Sequence, residues 1–185
     1  MLHREHGSRS RSLNLRRISF LVADSGDSYR AIVRSILFGF GAGQVEEAES
    51  VATAEVMLRT KALDFLVVSY DLSGGGGISL LKTIRADKEH PRRSIPIVVS
   101  MSAARRMDVA SARDAGANFI IAKPISPKSL FDRLSWIAHH PRPYWDSESY
   151  YGPDRRFRPP SGSGGPGRRA SDNPGAMESQ LFEES

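Results

Sequence analysis

Apolar runs of strand length alternate with helix-like apolar spacings through the middle of the chain. The runs predict five strands, at 18–23, 44–48, 65–68, 95–99 and 118–122. After each run, apolar residues recur at intervals of three and four, which predicts one helix after each strand. The inward faces of these helices lie within 32–40, 51–58, 78–84, 103–115 and 130–137. This alternation predicts an α/β fold, a doubly wound, five-stranded parallel sheet with helices on both faces.

Polar residues stand at the carboxyl ends of three predicted strands. Asp24, Ser69 and Lys123 each come directly after an apolar run. Open parallel sheets bind their ligands at the carboxyl ends of the strands, beside the point where the strand order reverses. These three residues therefore define the candidate site.

Composition divides the chain into three parts. Residues 1–15 are a short basic arm that we expect to be flexible, and residues 16–140 carry the apolar periodicity of one domain. Residues 141–185 are rich in Pro, Gly, Ser and Arg, which predicts a disordered tail. The tail also contains four aromatic residues that are unusual in disordered segments, Tyr144, Trp145, Tyr150 and Tyr151. Docking of these residues onto the domain or onto a partner is the alternative.

Charge and residue usage exclude several classes of protein. The chain has no cysteine, which excludes disulfides and thiolate metal sites and favours a cytoplasmic location. No apolar run approaches the ~20 residues that span a bilayer, so we expect no membrane segment. The formal charge is +5, but residues 1–17 contribute +4 of it, from five arginines and one glutamate. Because the predicted domain is nearly neutral, nucleic acid is not the expected partner.

The order and spacing of these segments resemble the receiver domain of bacterial response regulators, especially the single-domain CheY-like type. The resemblance covers residues 16–140 and is carried by short motifs: Phe20-Leu21-Val22-Ala23-Asp24, Val45-Glu46-Glu47-Ala48, the stretch 80–87, Ala115-Gly116-Ala117 and Lys123-Pro124. It implies a flavodoxin-like (βα)5 fold with strand order 2-1-3-4-5. It also implies a role in two-component (phosphorelay) signalling, in which a partner histidine kinase supplies phosphate to a receiver aspartate in the presence of Mg²⁺.

The resemblance is strong for the scaffold and weak for the reactive residues. The first acid of the family's acid pair matches Asp24, and the conserved lysine matches Lys123. The second acid, which is the usual metal ligand, falls on Ser25. The phosphoacceptor position falls on Ser69. Aspartyl phosphorylation needs a carboxylate nucleophile, and Mg²⁺ usually needs one or two carboxylates.

The two positions that relay phosphorylation in the family also differ here. The switch hydroxyl falls on Met101, and the switch aromatic falls on Ile120. We therefore predict a receiver that is degenerate at the acceptor, with no enzymatic activity, no catalytic residue and no cofactor. The alternative is a working phosphoreceiver that uses Asp71, because Asp71 lies two residues after Ser69 and keeps its strand parity. In that case Asp24 and Asp71 would be the Mg²⁺ ligands.

The resemblance also indicates how such a domain would act. We expect a stand-alone receiver that works as a protein–protein interaction module. Its expected partner is a histidine kinase or another signalling protein. In the family the partner face is built from the fourth helix, the fifth strand and the fifth helix. These elements correspond to residues 103–115, 118–122 and 126–139.

Overall fold

Five parallel strands form one sheet in the computed structural model, which describes residues 14–140, 142–147 and 150–154. The strands are β1 (Ser19–Ala23), β2 (Gln44–Ala48), β3 (Phe65–Ser69), β4 (Ile97–Met101) and β5 (Phe119–Ala122). Their order across the sheet is β2-β1-β3-β4-β5, with parallel pairing throughout. The predicted fold class and strand order are confirmed.

One helix follows each strand of the sheet, as the apolar spacing predicts. The helices are α1 (Asp27–Gly39), α2 (Val51–Thr60), α3 (Gly77–Ala86), α4 (Arg106–Asp114) and α5 (Pro127–His139). The Ser50 hydroxyl accepts a hydrogen bond from the Thr53 N–H and so caps the start of α2. Ser126 caps α5 in the same way, and Pro127 occupies the first turn of that helix.

The helices cover the sheet in two layers with separate apolar cores. Helices α1 and α5 pack on one face, and α2, α3 and α4 pack on the other. Strand β3 lies between both layers, so all five of its residues are buried. The arrangement leaves the carboxyl ends of the strands free of covering helices, and the candidate site lies there.

The fourth strand and the fourth helix begin later than predicted. The strand was expected from residue 95 but begins at Ile97, directly after Pro96. Proline has no N–H to donate to the hydrogen bonds of a sheet, so Pro96 lies just before the strand. Its carbonyl accepts a hydrogen bond from the Leu66 N–H. The strand extends to Met101, and helix α4 accordingly begins at Arg106 instead of near residue 103.

The expected disorder after residue 140 is wrong for the described part of that segment. Residues Tyr144–Asp146 (β6) and Tyr151–Pro153 (β7) pair as an antiparallel hairpin. The hairpin contacts Ser94 and Gly116, which precede β4 and β5, so it lies at the amino edge of the sheet. The remainder of the predicted flexible segments, residues 1–13, 141, 148–149 and 155–185, lies outside the described residues.

Buried polar contacts explain why the hairpin is ordered. The guanidinium of Arg85 is buried and donates hydrogen bonds to the Ile95 carbonyl at 2.7 Å and to the Tyr144 hydroxyl at 3.4 Å. The Tyr144 hydroxyl donates to the same Ile95 carbonyl at 3.2 Å. The guanidinium of Arg93 lies 3.5 Å from the centre of the Tyr151 ring. The aromatic residues therefore give this segment enough buried contact to offset the entropy of ordering it.

Within the described residues, no helix is both long enough and apolar enough to cross a membrane.

Candidate functional site

Asp24, Ser69 and Lys123 meet at the carboxyl edge of the sheet. The ammonium of Lys123 donates hydrogen bonds to Asp24 Oδ2 and to Ser69 Oγ, the latter at 2.9 Å. Strands β1 and β3 are neighbours in the sheet, which places the first two residues side by side. Lys123 follows β5, and its long side chain reaches across the end of β4. The strand order thus brings together the three residues that the sequence analysis selects.

The contact between Asp24 and Lys123 is a largely buried ion pair. Their side chains are 8% and 17% exposed, respectively, and Ser69 is 2% exposed. The other carboxylate oxygen of Asp24, Oδ1, accepts the Gly26 N–H at 2.8 Å. Both oxygens of the carboxylate therefore have donors within the protein. Removing one charge of such a pair is costly, because the other is left in a medium of low dielectric constant.

Tyr29, in the first turn of α1, covers the lysine. The Lys123 ammonium lies 4.2 Å from the centre of the Tyr29 ring, within the range of a cation–π contact. Burial raises the pKa of the Tyr29 hydroxyl well above its ordinary value; the Ser100 hydroxyl lowers it in part, and the Asp24 charge raises it further. The phenol is therefore neutral at physiological pH. The sequence analysis missed this residue, whose only sequence signal is an aromatic side chain five positions after Asp24.

Arg30 is a second site residue that the sequence analysis missed. Its side chain is buried and donates to the backbone carbonyl of Asp24 at 2.6 Å. The same guanidinium bonds the carboxylate of Asp27 and lies 3.4 Å from the carboxylate of Glu47. Arg30 therefore holds the backbone at the end of β1 and ties it to β2.

Ser25 connects the loops at this edge of the sheet. Its hydroxyl oxygen accepts the Ser73 N–H at 2.8 Å, and the Ser73 hydroxyl donates to the Glu49 carbonyl at 3.0 Å. These bonds connect the loops that follow β1, β2 and β3. Within the described part of the chain, no three His, Cys, Asp or Glu residues are grouped as metal ligands would be.

The register of β3 places Ser69 beside Lys123 and leaves Asp71 on the following loop. Ser69 pairs with Ser100 across the sheet, and the next N–H, of Tyr70, donates to the Ser100 carbonyl at 2.8 Å. Asp71 follows on the loop with an exposed side chain. Leu72 is buried at 2% exposure, so it anchors the loop in this register. A slip by two residues would move the polar Ser69 and Tyr70 into the apolar interior of the sheet.

The two switch positions carry apolar side chains in the structure. Met101 ends β4 and is 1% exposed, in the core beneath α2, α3 and α4. Ile120, on β5, is partly buried and packs against the same core. Ser100 precedes Met101 and is also buried, but its hydroxyl donates to the Val68 carbonyl at 3.4 Å. Neither switch position offers a group that would bond a phosphoryl oxygen.

The chain is similar to known signalling proteins over most of its described length. A family model described as the response regulator receiver domain matches residues 20–135. Chemotaxis protein CheY-3 of Vibrio cholerae serotype O1 is 33% identical over 120 residues, which cover 65% of this chain and 91% of that protein.

Solved structures show the same fold. A two-component response regulator from Clostridium difficile has a TM-score of 0.61 at 20% identity, covering 66% of this chain and 97% of that one. The receiver domain of sensor histidine kinase PA1611 from Pseudomonas aeruginosa has a TM-score of 0.58 at 21% identity, covering 65% and 98%. The latter structure has a magnesium ion coordinated in its active site cleft.

Proposed function

This chain belongs to the response regulator receiver family, and from that premise we propose that it signals through protein contacts without conventional aspartyl phosphorylation. The observation that carries the proposal is the contact of Lys123 with Asp24 and with the hydroxyl of Ser69. The acceptor position has no carboxylate, and the lysine that would neutralise a phosphoryl group already has two protein partners. The chain is then an interaction module of a two-component pathway and not an enzyme.

A serine at the acceptor position does not restore the chemistry. Attack on phosphorus by a hydroxyl needs a base that takes its proton. Lys123 is ion-paired with Asp24, so its ammonium donates to Ser69 Oγ and has no lone pair to accept a proton. The contacts of Ser69 therefore support a structural role for its hydroxyl.

The donor set also does not fit Mg²⁺, the cation that the receiver family implies. Mg²⁺ demands hard oxygen ligands in near-octahedral geometry and is usually bound through one or two carboxylates. Both oxygens of Asp24 accept hydrogen bonds, and Ser25 accepts another from Ser73. The cation would have to displace Lys123 from Asp24 to gain a single carboxylate. We propose that this receiver works without a resident metal ion.

Receiver domains interact with histidine kinases and with other signalling proteins, and the surface formed by α4, β5 and α5 is the one we assign to a partner here. Its α4 end exposes Arg105, Arg106 and Met107, and the Met107 side chain is 80% exposed. An exposed methionine between charged residues suits a protein surface that is partly apolar. A cytoplasmic location belongs to the same proposal and agrees with the absence of cysteine.

Labelling by acetyl phosphate in the presence of Mg²⁺ tests the proposal. We expect no labelling of the wild-type chain and slow labelling of Ser69→Asp, which returns a carboxylate beside Asp24 and Lys123. Asp71→Asn is the matched control, and it should behave as wild type. Labelling of the wild type that Asp71→Asn abolishes would overturn the proposal and identify a phosphoreceiver with a displaced acceptor.

Binding of Mg²⁺ supplies a second readout that does not depend on phosphate transfer. Titration of wild type and Ser69→Asp can be followed by the amide signals of residues 24, 69 and 123. We expect a response only in the variant, because two facing carboxylates suit a hard cation. Saturation of the wild type below a few millimolar would contradict the proposal.

A further inference from the structure

Tyr70 connects the acceptor loop to helix α4. It follows Ser69 directly, and its hydroxyl donates a hydrogen bond to Asp108 Oδ1 at 3.0 Å. Its backbone is held on both sides, since its N–H donates to the Ser100 carbonyl at 2.8 Å and its carbonyl accepts the Gly77 N–H at 2.9 Å. The Tyr70 ring packs against the core shared by α2, α3 and α4. The position of the Tyr70 hydroxyl is therefore fixed by its backbone hydrogen bonds and by the packing of its ring.

Helix α4 has few other restraints. The residue at its amino end, Arg105, makes no side-chain capping bond, and only Val109 and Ala112 of its nine residues are buried. Asp108 lies in the first turn, where a negative side chain also interacts favourably with the helix dipole. The bond from Tyr70 consequently acts on the end of α4 that packing holds least.

The hydrogen bond stays formed across physiological pH. The bond to Asp108 is the largest influence on the pKa of the Tyr70 hydroxyl, which it raises, and burial raises that pKa further. Tyr70 is thus a protonated donor at neutral pH. Its acceptor is a carboxylate oxygen at 3.0 Å, and hydrogen bonds to carboxylates are stronger than those between neutral groups.

We propose that the Tyr70–Asp108 bond is a permanent latch that holds α4 in the orientation presented to a partner. The inference rests on the proposed function, because a receiver without phosphorylation needs another means to fix this surface. Met101 and Ile120, at the two switch positions, have no hydroxyl that could connect the site with α4, and the Tyr70–Asp108 bond supplies such a connection. The latch runs instead through the residue that directly follows Ser69.

Amide hydrogen exchange of Tyr70→Phe tests the latch, with neither a phosphate donor nor a partner present. The variant keeps the ring and removes the hydroxyl. We expect the amides of α4 to exchange about 5–10-fold faster than in the wild type, as the loss of a single partly buried hydrogen bond implies. The amides of β1 and β3 should keep their wild-type rates. Asp108→Ala should accelerate the same amides at least as much, because it also removes a negative side chain from the first turn, and Asp108→Asn, which retains an acceptor oxygen, should restore most of the protection.

Tyr150→Phe is the matched control, because it also removes a tyrosine hydroxyl, one that bonds the Pro153 carbonyl at 3.0 Å within the hairpin. It should leave α4 unchanged. The latch is refuted if α4 exchange in Tyr70→Phe stays within twofold of wild type. It is also refuted if β1 and β3 accelerate equally, since that pattern indicates global destabilisation. Labelling of the wild type by acetyl phosphate would reject the proposed function but leave this exchange result standing, so the two failures are distinguishable.

Discussion

Replacing Lys123 by methionine should destabilise the domain strongly, because it leaves the buried carboxylate of Asp24 without its cationic partner. The substitution keeps the length of the side chain and removes its charge. Asp24 is 8% exposed at its side chain and would retain only the Gly26 N–H as a donor. Breaking a buried pair by removing one partner costs about 3–5 kcal/mol. We expect about 3 kcal/mol here, since Lys123 is 17% exposed and water partly screens the pair.

The double variant Asp24→Asn/Lys123→Met separates this charge effect from lost packing. It removes both charges, and the amide oxygen at position 24 still accepts the Gly26 N–H. We expect it to recover at least half of the lost stability, about 1.5 kcal/mol, because no charge remains unpaired. Ser69→Ala is the control for the neutral contact, and it should cost no more than about 1 kcal/mol.

Equilibrium urea unfolding at pH 7, followed by circular dichroism, measures these differences. The slope of the transition should be the same for all variants, so that midpoints report stability. Two results would refute the reasoning: a cost below about 1 kcal/mol for Lys123→Met, or a double variant as unstable as the single one. Either would mean that Asp24 is not held as a buried charge and that its carboxylate is available to a metal ion.

Three further predictions concern the rest of the fold. Gly116→Ala should lower the free energy of unfolding in urea by about 2–4 kcal/mol, because φ is +90° and the added methyl carbon would lie 2.9 Å from a backbone oxygen of the hairpin. Gly41→Ala is the control: its φ is +83°, but the added methyl group would meet no neighbouring atom, so the cost should be only about 1–2 kcal/mol. Truncation after Asp154 should leave the melting temperature unchanged, whereas truncation after His140 should lower it by roughly 5 °C or more, because the buried Arg85 loses its partners in the hairpin. Equal melting temperatures for the two truncated chains would contradict the packing of the hairpin on the domain. Burial lowers the pKa of His90, so its neutral form contributes stability above about pH 6.5 that is lost as the pH falls below it. In urea unfolding between pH 5 and pH 8, the free energy of unfolding should therefore depend less on pH in His90→Gln than in the wild type. The same pH dependence in both proteins would contradict this prediction.

The elements of the fold and the edge of the sheet where the site lies both follow from the sequence alone. Apolar spacing in twos, threes and fours is a local property, so the strands and helices followed from it with errors of a few residues near Pro96. The helix caps formed by Ser50 and Ser126 are local in the same sense, because each acts within one helical turn. Asp24, Ser69 and Lys123 could be selected because each ends a strand, and parallel strands end at the same edge.

Which side chains meet at that edge, and elsewhere in the domain, depends on how the elements pack in three dimensions. Lys123 lies 99 residues from Asp24 along the chain, and Tyr70 lies 38 residues from Asp108. Such pairs depend on the order of strands and on the packing of helices, which local periodicity does not contain. The hairpin shows the same limit, since the composition of 141–185 predicts disorder while a few aromatic side chains find Arg85 at the amino edge. Composition reports an average over a segment, whereas burial depends on the individual contacts that the folded domain offers.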